Sequence, residues 1–467
     1  MKALTVEEVR NAVLGRWLAR GEPVVVGAVT TDTRTARVGD LFFALRGERM
    51  DGHAFLRQAA EAGCAAALVA MDAEVSAEIP GAFRGGVIGV PDTTAALGDL
   101  AAWHRGQVGT TVVGVTGSNG KTTVKRMIHH ILSRRLAGTC SPKSFNNNIG
   151  VPLTLLAVRP GDDYVVCELG TNAPGEIAAL TAMARPDVAV ITSVGPAHLE
   201  RLGSLERIAA EKASILGRVP PGGLGVIWAD SDILARTVRS YECRRVRFGE
   251  SEEAELRLTG CTPLGRRQQF EVNGRLTVDL PLPGRHNALN ALAALAVAQR
   301  FGFEQDDAAA ALASFAGEAM RLEWIELPDG TIINDAYNAN PASLAAAADV
   351  LTGAAGTRKV LLVGDMLELG DQAEALHRQA GADVAGTGVD LLVSVGPLGR
   401  YIAQGAAENG TASASFRSAE DAADALADLI CPGDTVLIKG SRGMAMEALV
   451  GPVRAALGGA QDERPND

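Results

Sequence analysis

Apolar and polar positions change rhythm several times along the 467-residue chain. Between residues 108 and 228, short β-branched runs alternate with stretches in which apolar residues return every three or four positions. The runs predict strands at 110–116, 163–168, 187–193 and 223–228; the stretches between predict helices at 121–136, 175–184 and 204–217. Such alternation implies a parallel sheet with helices on both faces. From 245 to 280 the period shortens ("ELRLTG", "QQFEV", "RLTVDLPL"), as in antiparallel strands, and a helix follows at about 286–301. A second alternation starts near 318, with "TIIND", "KVLLVGD", "DLLVSVG" and "DTVLIKG" as strands between Ala-rich helices. Before 108, strand-like runs at 23–30, 41–45 and 86–90 and an Ala-rich helix near 56–70 describe a smaller α/β unit. The expectation is an α/β protein of three domains: a small one at 1–107, a central parallel-sheet domain at 108–317 and a Rossmann-like domain at 318–457. A polar, disordered tail follows at 458–467.

Composition narrows the function more than the fold. A net charge of −11 without a basic cluster argues against nucleic acid or an anionic membrane surface as the main partner. No apolar run reaches a membrane-spanning length, and "MKALTVEEVRNAVLG" lacks the pattern of a signal peptide. Six scattered cysteines without a CxxC pair suit reduced thiols in a cytoplasmic protein. Only 7 of the 44 basic residues are lysines, so a lysine inside a motif draws notice; Lys121, Lys212 and Lys439 are such cases.

The strongest motif is "GVTGSNGKTTVKRMIHHIL" at 114–132. A buried strand runs into a loop with Gly117 and Gly120, and a helix opens at Lys121 with Val124, Ile128, Ile131 and Leu132 on its apolar face. Glycines let backbone N–H groups turn inward, the helix N-terminus adds partial positive charge, and Lys121 and Thr122 supply an ammonium and a hydroxyl suited to Mg²⁺. This is a phosphate cradle, although Val115 departs from the strict G-x-x-x-x-G-K-[ST] spacing.

Further polar groups fall at strand ends, where function gathers in open α/β sheets. Glu168 closes "DYVVCELG"; a carboxylate there suits Mg²⁺, or else caps a helix or pairs with arginine. His198, in "ITSVGPAHLE", suits a second divalent ion, or is a hydrogen-bonded loop histidine. Lys212 shares a helix face with Ile208, Ala209 and Ile215, which turns it inward or to the rim. Asn287 and Asn290, three apart in "GRHNALNALAALAVA", either read an adenine edge or cap and solvate the helix start. Arg321 and Asp335 stand at the entry to the third domain and suit a γ-phosphate and a ribose hydroxyl. "KGSRG" offers Lys439, Ser441 and Arg442 ahead of a helix as a carboxylate-binding group, or is a turn. "VLLVGD", ending at Asp365, looks like a Walker B strand but lies in the wrong domain to serve the loop, so Asp365 is not assigned to Mg²⁺.

Together "TGSNGKTT", "FNNNIGVPLT", "ELGTNAPGEI", "GPAHLE", "AEKASIL", "GRHNALNA", "MRLE" and "DAYNANP" resemble the successive signatures of the Mur ligases, the ATP-dependent amide-forming enzymes of bacterial peptidoglycan synthesis. "DTRTARVGDLFFALRGERMDGHAF" resembles the uridine-nucleotide domain of the later-acting members. "DAYNANPASL", "VGDMLELG" and "KGSRGMAMEALV" resemble the branch whose substrates are UDP-N-acetylmuramoyl-tripeptide and D-alanyl-D-alanine, and the "DNPR" motif of the diaminopimelate-adding branch is absent. The resemblance covers nearly the whole chain. It implies ATP phosphates held by Gly117, Ser118, Asn119, Gly120, Lys121, Thr122 and Thr123, and adenine met by Asn287 and Asn290. It implies the γ-phosphate on Arg321 and the ribose on Asp335. It implies two Mg²⁺, one on Thr122 and Glu168 and one on His198 and a carbamylated Lys212. Thr33, Arg34, Arg46, Gly52, His53, Asn147, Thr171 and Asn338 would face the nucleotide-linked substrate, and Lys439, Ser441 and Arg442 the dipeptide. "TNAP" stands where an "NHP"-type segment is common, which puts one contact in doubt. A monomer in the cytoplasm is implied.

Two other readings compete. A folylpolyglutamate-type ligase on the same scaffold would lack the uridine-nucleotide domain, against which residues 31–55 stand. A P-loop switch protein would carry a guanine-reading NKxD motif, which is absent, and would have little use for Glu168, His198 and Lys212 together.

Overall fold

The computed structural model describes residues 1–460 except Glu48 and Ala77. Three main sheets carry the chain. The largest has nine strands, ordered Leu276–Leu280, Arg267–Val272, Leu256–Leu264, Arg244–Gly249, Leu224–Trp228, Val188–Ile191, Thr111–Thr116, Tyr164–Glu168 and Gly138–Cys140. From Gly138–Cys140 to Leu256–Leu264 the pairing is parallel, and the two remaining pairs are antiparallel, as the shortened period of 245–280 predicts. Thr111–Thr116 lies between Tyr164–Glu168 and Val188–Ile191, so the chain reverses its direction of travel across the sheet there. A reversal of that kind opens a crevice at the carboxyl ends of the strands.

The six-stranded sheet runs Glu323–Leu327, Gly330–Asp335, Asp434–Lys439, Arg358–Gly364, Leu391–Val395 and Ala412–Phe416, parallel except for its first pair. The edge strands Glu323–Leu327 and Ala412–Phe416 escape the sequence reading, since each is only half-buried and its pattern is weak. The five-stranded sheet runs Arg16–Arg20, Gly86–Val90, Ala66–Ala70, Leu41–Phe43 and Val29–Thr30.

Two expectations in this first unit are corrected. The helix expected at 56–70 stops at Glu61, and Ala66–Ala70 is a fully buried central strand. Gly63, at φ +86°, turns the chain between them, and the Ala-rich run is the small-residue filling of a sheet covered on both faces. The single strand expected at 23–30 is two short ones, Val25–Val26 and Val29–Thr30, in different sheets. At the other end, the expected tail falls from 461 onward outside the described residues; Gly458 and Gly459 still bond to the carbonyls of Ala455 and Arg454.

Among the described residues, no helix is long and apolar enough to cross a membrane. The helices Lys121–Leu132 and Arg285–Arg300 pack together over one face of the nine-stranded sheet. Val124, Met127, Ile128, Ile131 and Leu132 are buried on the first, and almost the whole second helix is buried, so its N-terminal asparagines are held on a rigid support.

Candidate active site

A cavity of about 830 Å³ opens between the nine-stranded and six-stranded sheets. Its floor is the loop at 117–120. Gly117, at φ +153°, has its missing Cβ directed onto Thr192 Oγ1; Gly120, at φ +80°, faces Asn290 Oδ1. Only glycine allows both the turn and this close approach. Lys121 Nζ donates to the carbonyls of Gly117 (2.7 Å) and Ser118 (3.4 Å), curled over the loop where a phosphate would lie. Burial lowers its pKa, Glu168 opposes that and Arg321 adds to it. An ammonium in that state gains from an incoming anion. Ser118 is tied to Gly195 through its hydroxyl, and the Asn119 N–H donates to Ser193 Oγ, so the loop is braced by the segment after Val188–Ile191. Thr123 lines the cavity at the helix start.

Glu168 is 1% exposed at the end of its strand. Its Oε1 accepts from Asn146 Nδ2 (3.0 Å) and its Oε2 from Thr122 Oγ1 (2.9 Å). Lys125 Nζ stands 3.3 Å from the same Oε2 and is fully buried. The arginine-pair alternative for Glu168 is thus nearly right in kind, with lysine in place of arginine. Lys125 escapes the sequence reading, although it follows Lys121 by four residues on one helix face and is among the few lysines of an arginine-rich chain.

His198, in the left-handed region at φ +58°, turns its Nδ1 onto Glu368 Oε2 from the six-stranded side. The bond from His198 holds the Glu368 carboxyl below its ordinary range. With Nδ1 engaged by the carboxylate, the ring is held in place with Nε2 turned away from that contact. Glu368 also escapes the sequence reading, because nothing local pairs it with a residue 170 positions away.

Lys212 is 1% exposed and, among the described residues, has neither a hydrogen bond nor an ion pair. Burial first, then Lys121, push its pKa well below the ordinary lysine value, while Glu211 opposes them. Asn287 Nδ2 donates to the Pro283 carbonyl (2.7 Å) and Asn290 Nδ2 to Asn287 Oδ1 (3.1 Å). Both are buried and Gly284 occupies the helix cap, so the capping alternative fails. His286 lines the same wall, its pKa lowered by burial to about 4, and so stays neutral.

The six-stranded side closes over the loop. Arg321 stacks on Tyr337 (3.9 Å to the ring centre) and donates to Thr122 Oγ1 (3.1 Å). Asn119 and Asn340 exchange amide hydrogen bonds (3.3 and 2.8 Å). Asp335 accepts from Lys439 Nζ (2.6 Å) and from the Leu322 N–H (3.1 Å). Lys439 is therefore engaged with Asp335 and the Asn338 carbonyl rather than free. Ser441 Oγ accepts from the Leu367 N–H, while Arg442 is exposed and paired with Glu447. Asn147, Thr171 and Asn338 line the cavity. Asn147 also caps the helix Gly150–Leu156 through the Ile149 and Gly150 N–H groups. Asp365 accepts from the Leu398 and Gly399 N–H groups at the start of the helix Gly399–Glu408.

None of Thr33, Arg34, Arg46, Gly52 and His53 lines this cavity. Thr33 bonds Gln58, Arg34 pairs with Asp32, and Arg46 pairs with Asp72. His53 accepts from the Ala70 N–H and faces Asp51, and a Cβ on Gly52 would meet the Leu45 backbone. All five belong to the first unit.

A parallel sheet ending in a phosphate loop, with an arginine and an aspartate brought over it by a second sheet, defines a nucleotide-dependent P-loop enzyme. Family descriptions match along the chain: Mur ligase family, catalytic domain (residues 25–105), Mur ligase middle domain (115–298), and Mur ligase, glutamate ligase domain (320–442). The UDP-N-acetylmuramoyl-tripeptide--D-alanyl-D-alanine ligase of Bacillus subtilis is 38% identical over 92% of this chain and 93% of its own. The crystal structure of MurF from Acinetobacter baumannii, 33% identical, superposes with a TM-score of 0.87 over 97% of this chain and 99% of that one. The MurF ligase of Thermotoga maritima in complex with ADP, 28% identical, gives 0.80 over 92% and 97%. The chain belongs to the Mur ligase family.

Proposed function

We infer that the protein is an ATP-dependent, ADP-forming ligase that joins D-alanyl-D-alanine to UDP-N-acetylmuramoyl-tripeptide, giving the UDP-linked pentapeptide of peptidoglycan synthesis. The observation that carries the chemistry is the convergence of the phosphate loop with Arg321 and Asp335, from a different sheet, in one cavity.

A carboxylate oxygen of the tripeptide attacks the γ-phosphorus of ATP; ADP leaves and an acyl phosphate remains. The amine of D-alanyl-D-alanine then attacks the acyl carbon, phosphate leaves, and the nitrogen gives up a proton. Anion meets anion in the first step, so positive charge must be fixed in advance. Lys121 and the loop N–H groups hold the phosphates, Arg321 takes the γ-phosphate, Asp335 a ribose hydroxyl, and Asn287 and Asn290 the adenine edge.

Glu168 and Thr122 are hard oxygen donors beside the loop, and they fit Mg²⁺, which keeps one or two carboxylates and completes its shell with phosphates and water. The ion would neutralise charge on the transferred phosphoryl group. His198 Nε2 and Lys212 fit a second ion if Lys212 carries a carbamate, since a buried, neutral amine is the form that adds CO₂. Asn147, Thr171 and Asn338 face the nucleotide-linked peptide; Thr33, Arg34, Arg46, Gly52 and His53 hold its uridine end on the first unit. Arg442 remains for the dipeptide carboxylate, with Lys439 and Ser441 shaping the pocket. The protein works in the cytoplasm as a monomer.

Phosphate release tests the reading. With ATP and Mg²⁺ it should require both UDP-N-acetylmuramoyl-tripeptide and D-alanyl-D-alanine and yield a UDP-linked pentapeptide by mass. Turnover with another amino acid or another acceptor overturns the substrate assignment.

A further inference from the structure

We propose that Lys125 is the resident counter-ion of Glu168 and closes the metal site to free divalent ions, so that metal enters only together with the nucleotide. The inference rests on the reading of Glu168 and Thr122 as metal ligands.

In the structure those two groups already satisfy one another. Thr122 Oγ1 donates to Glu168 Oε2 and accepts from Arg321, and Asn146 fills Oε1. Lys125 Nζ lies 3.3 Å from Oε2 with no solvent exposure, and its other contact is the Lys143 carbonyl. A buried carboxylate without a partner is strongly disfavoured, and Lys125 is such a partner for Glu168. The local charge count is then unfavourable for a bare cation. Lys121, Lys125, Arg126 and Arg321 stand against Glu168 and Glu318, the latter 2.5 Å from Arg126 and 3.9 Å from Arg321. Among the described residues, no group of three or more His, Cys, Asp or Glu side chains could hold a metal ion. Nucleotide phosphates change both conditions: they reverse the net charge and bring the missing oxygen ligands. Lys125 is on this view a positioning residue, which acts through Glu168 and does not touch substrate.

Mn²⁺ is the probe, followed by the loss of its free-ion magnetic resonance signal on titration. Without nucleotide, over the range that saturates its complex with ADP, the unmodified protein should take up no Mn²⁺ that Glu168→Gln removes; any uptake at His198 and Lys212 is common to both proteins. Lys125→Met should gain uptake without nucleotide, by about tenfold or more in affinity. Lys125→Met combined with Glu168→Gln should lose it again, and Lys125→Arg should stay closed like the parent. A merely structural role for Lys125 would not open a metal site. Tight Mn²⁺ binding by the unmodified protein alone that Glu168→Gln removes overturns the inference, whether or not Lys125→Met folds. So does a folded Lys125→Met without the gain. Glu168→Gln separates the two readings. It should abolish the increase in ADP affinity that Mn²⁺ brings. If the increase persists, the ligand assignment itself falls; if it vanishes while the parent binds Mn²⁺ through Glu168 unaided, only the role of Lys125 falls.

Discussion

Lys212 shows how one side chain can reveal its chemistry through what surrounds it. Burial pushes the pKa of Lys212, which is 1% exposed, well below the ordinary lysine value, and this favours the amine form that the proposed carbamate needs. Lys212→Ala should lose activity by about 100-fold or more and recover part of it with a short carboxylic acid that replaces the missing anion. Steady-state rates with and without acetate decide it, and full activity without acid removes the carbamate from the mechanism. Gly120 makes a second case. Alanine there would sit at φ +80° with its Cβ against Asn290 Oδ1, so Gly120→Ala carries a backbone cost of about 1–2 kcal/mol and displaces the asparagine. The expected result is a lower unfolding temperature together with a raised KM for ATP. An unchanged KM would mean that the loop does not need its left-handed turn.

At the level of elements, the helix Thr93–Arg105 carries a different kind of constraint. His104 on it is fully buried and accepts a hydrogen bond from the Lys2 N–H at Nε2. Burial lowers its pKa from 6.5 to about 4. Between those two values the unfolded chain binds more protons than the folded one, so the contribution is complete above about pH 6.5 and is lost as pH falls toward 4. The loss amounts to up to about 3 kcal/mol. Denaturant unfolding across pH 4–7 should show that slope, and His104→Gln should flatten it. An equal slope in both proteins would assign the acid sensitivity to other groups.

This helix, and the edge strand Arg16–Arg20, had no strong signal in the sequence. Arg16–Arg20 has one exposed face with arginines at both ends, and Thr93–Arg105 is rich in small residues whose period is shallow. The central elements were legible because their strands are continuous β-branched runs buried on both faces. The site was legible where its groups are contiguous or end a strand, as with 117–122, Glu168 and Asp335. It was not legible where a contact joins distant segments: Glu368 reaching His198, Asn340 reaching Asn119, and Lys439 taken up by Asp335.

Those long-range contacts set the behaviour of the whole molecule. Side-chain contacts tie the six-stranded side to the nucleotide side: Arg321 to Thr122, Asn119 to Asn340, Tyr337 to Ser144, and His198 to Glu368. Each is a hydrogen bond or a half-exposed pair worth about 1 kcal/mol net, added to a buried apolar cluster that runs from Val190 and Leu292 to Leu344 and Val350. An acyl phosphate is destroyed by water, so the reaction needs closure to last through both steps. The γ-phosphate supplies what is missing: a multiply charged anion placed between Lys121, on one side, and Arg321, on the other. Because it interacts better with the closed arrangement than with an open one, it must shift the population toward closure. Small-angle scattering should therefore show a smaller radius of gyration when a non-hydrolysable ATP analogue and the nucleotide-linked tripeptide are both present. Arg321→Ala should reduce that change, because it removes the charge through which the phosphate draws the two sides together. Superimposable scattering profiles with and without ligands would mean that the cavity is already closed in the free protein, and that water is excluded by the substrates themselves.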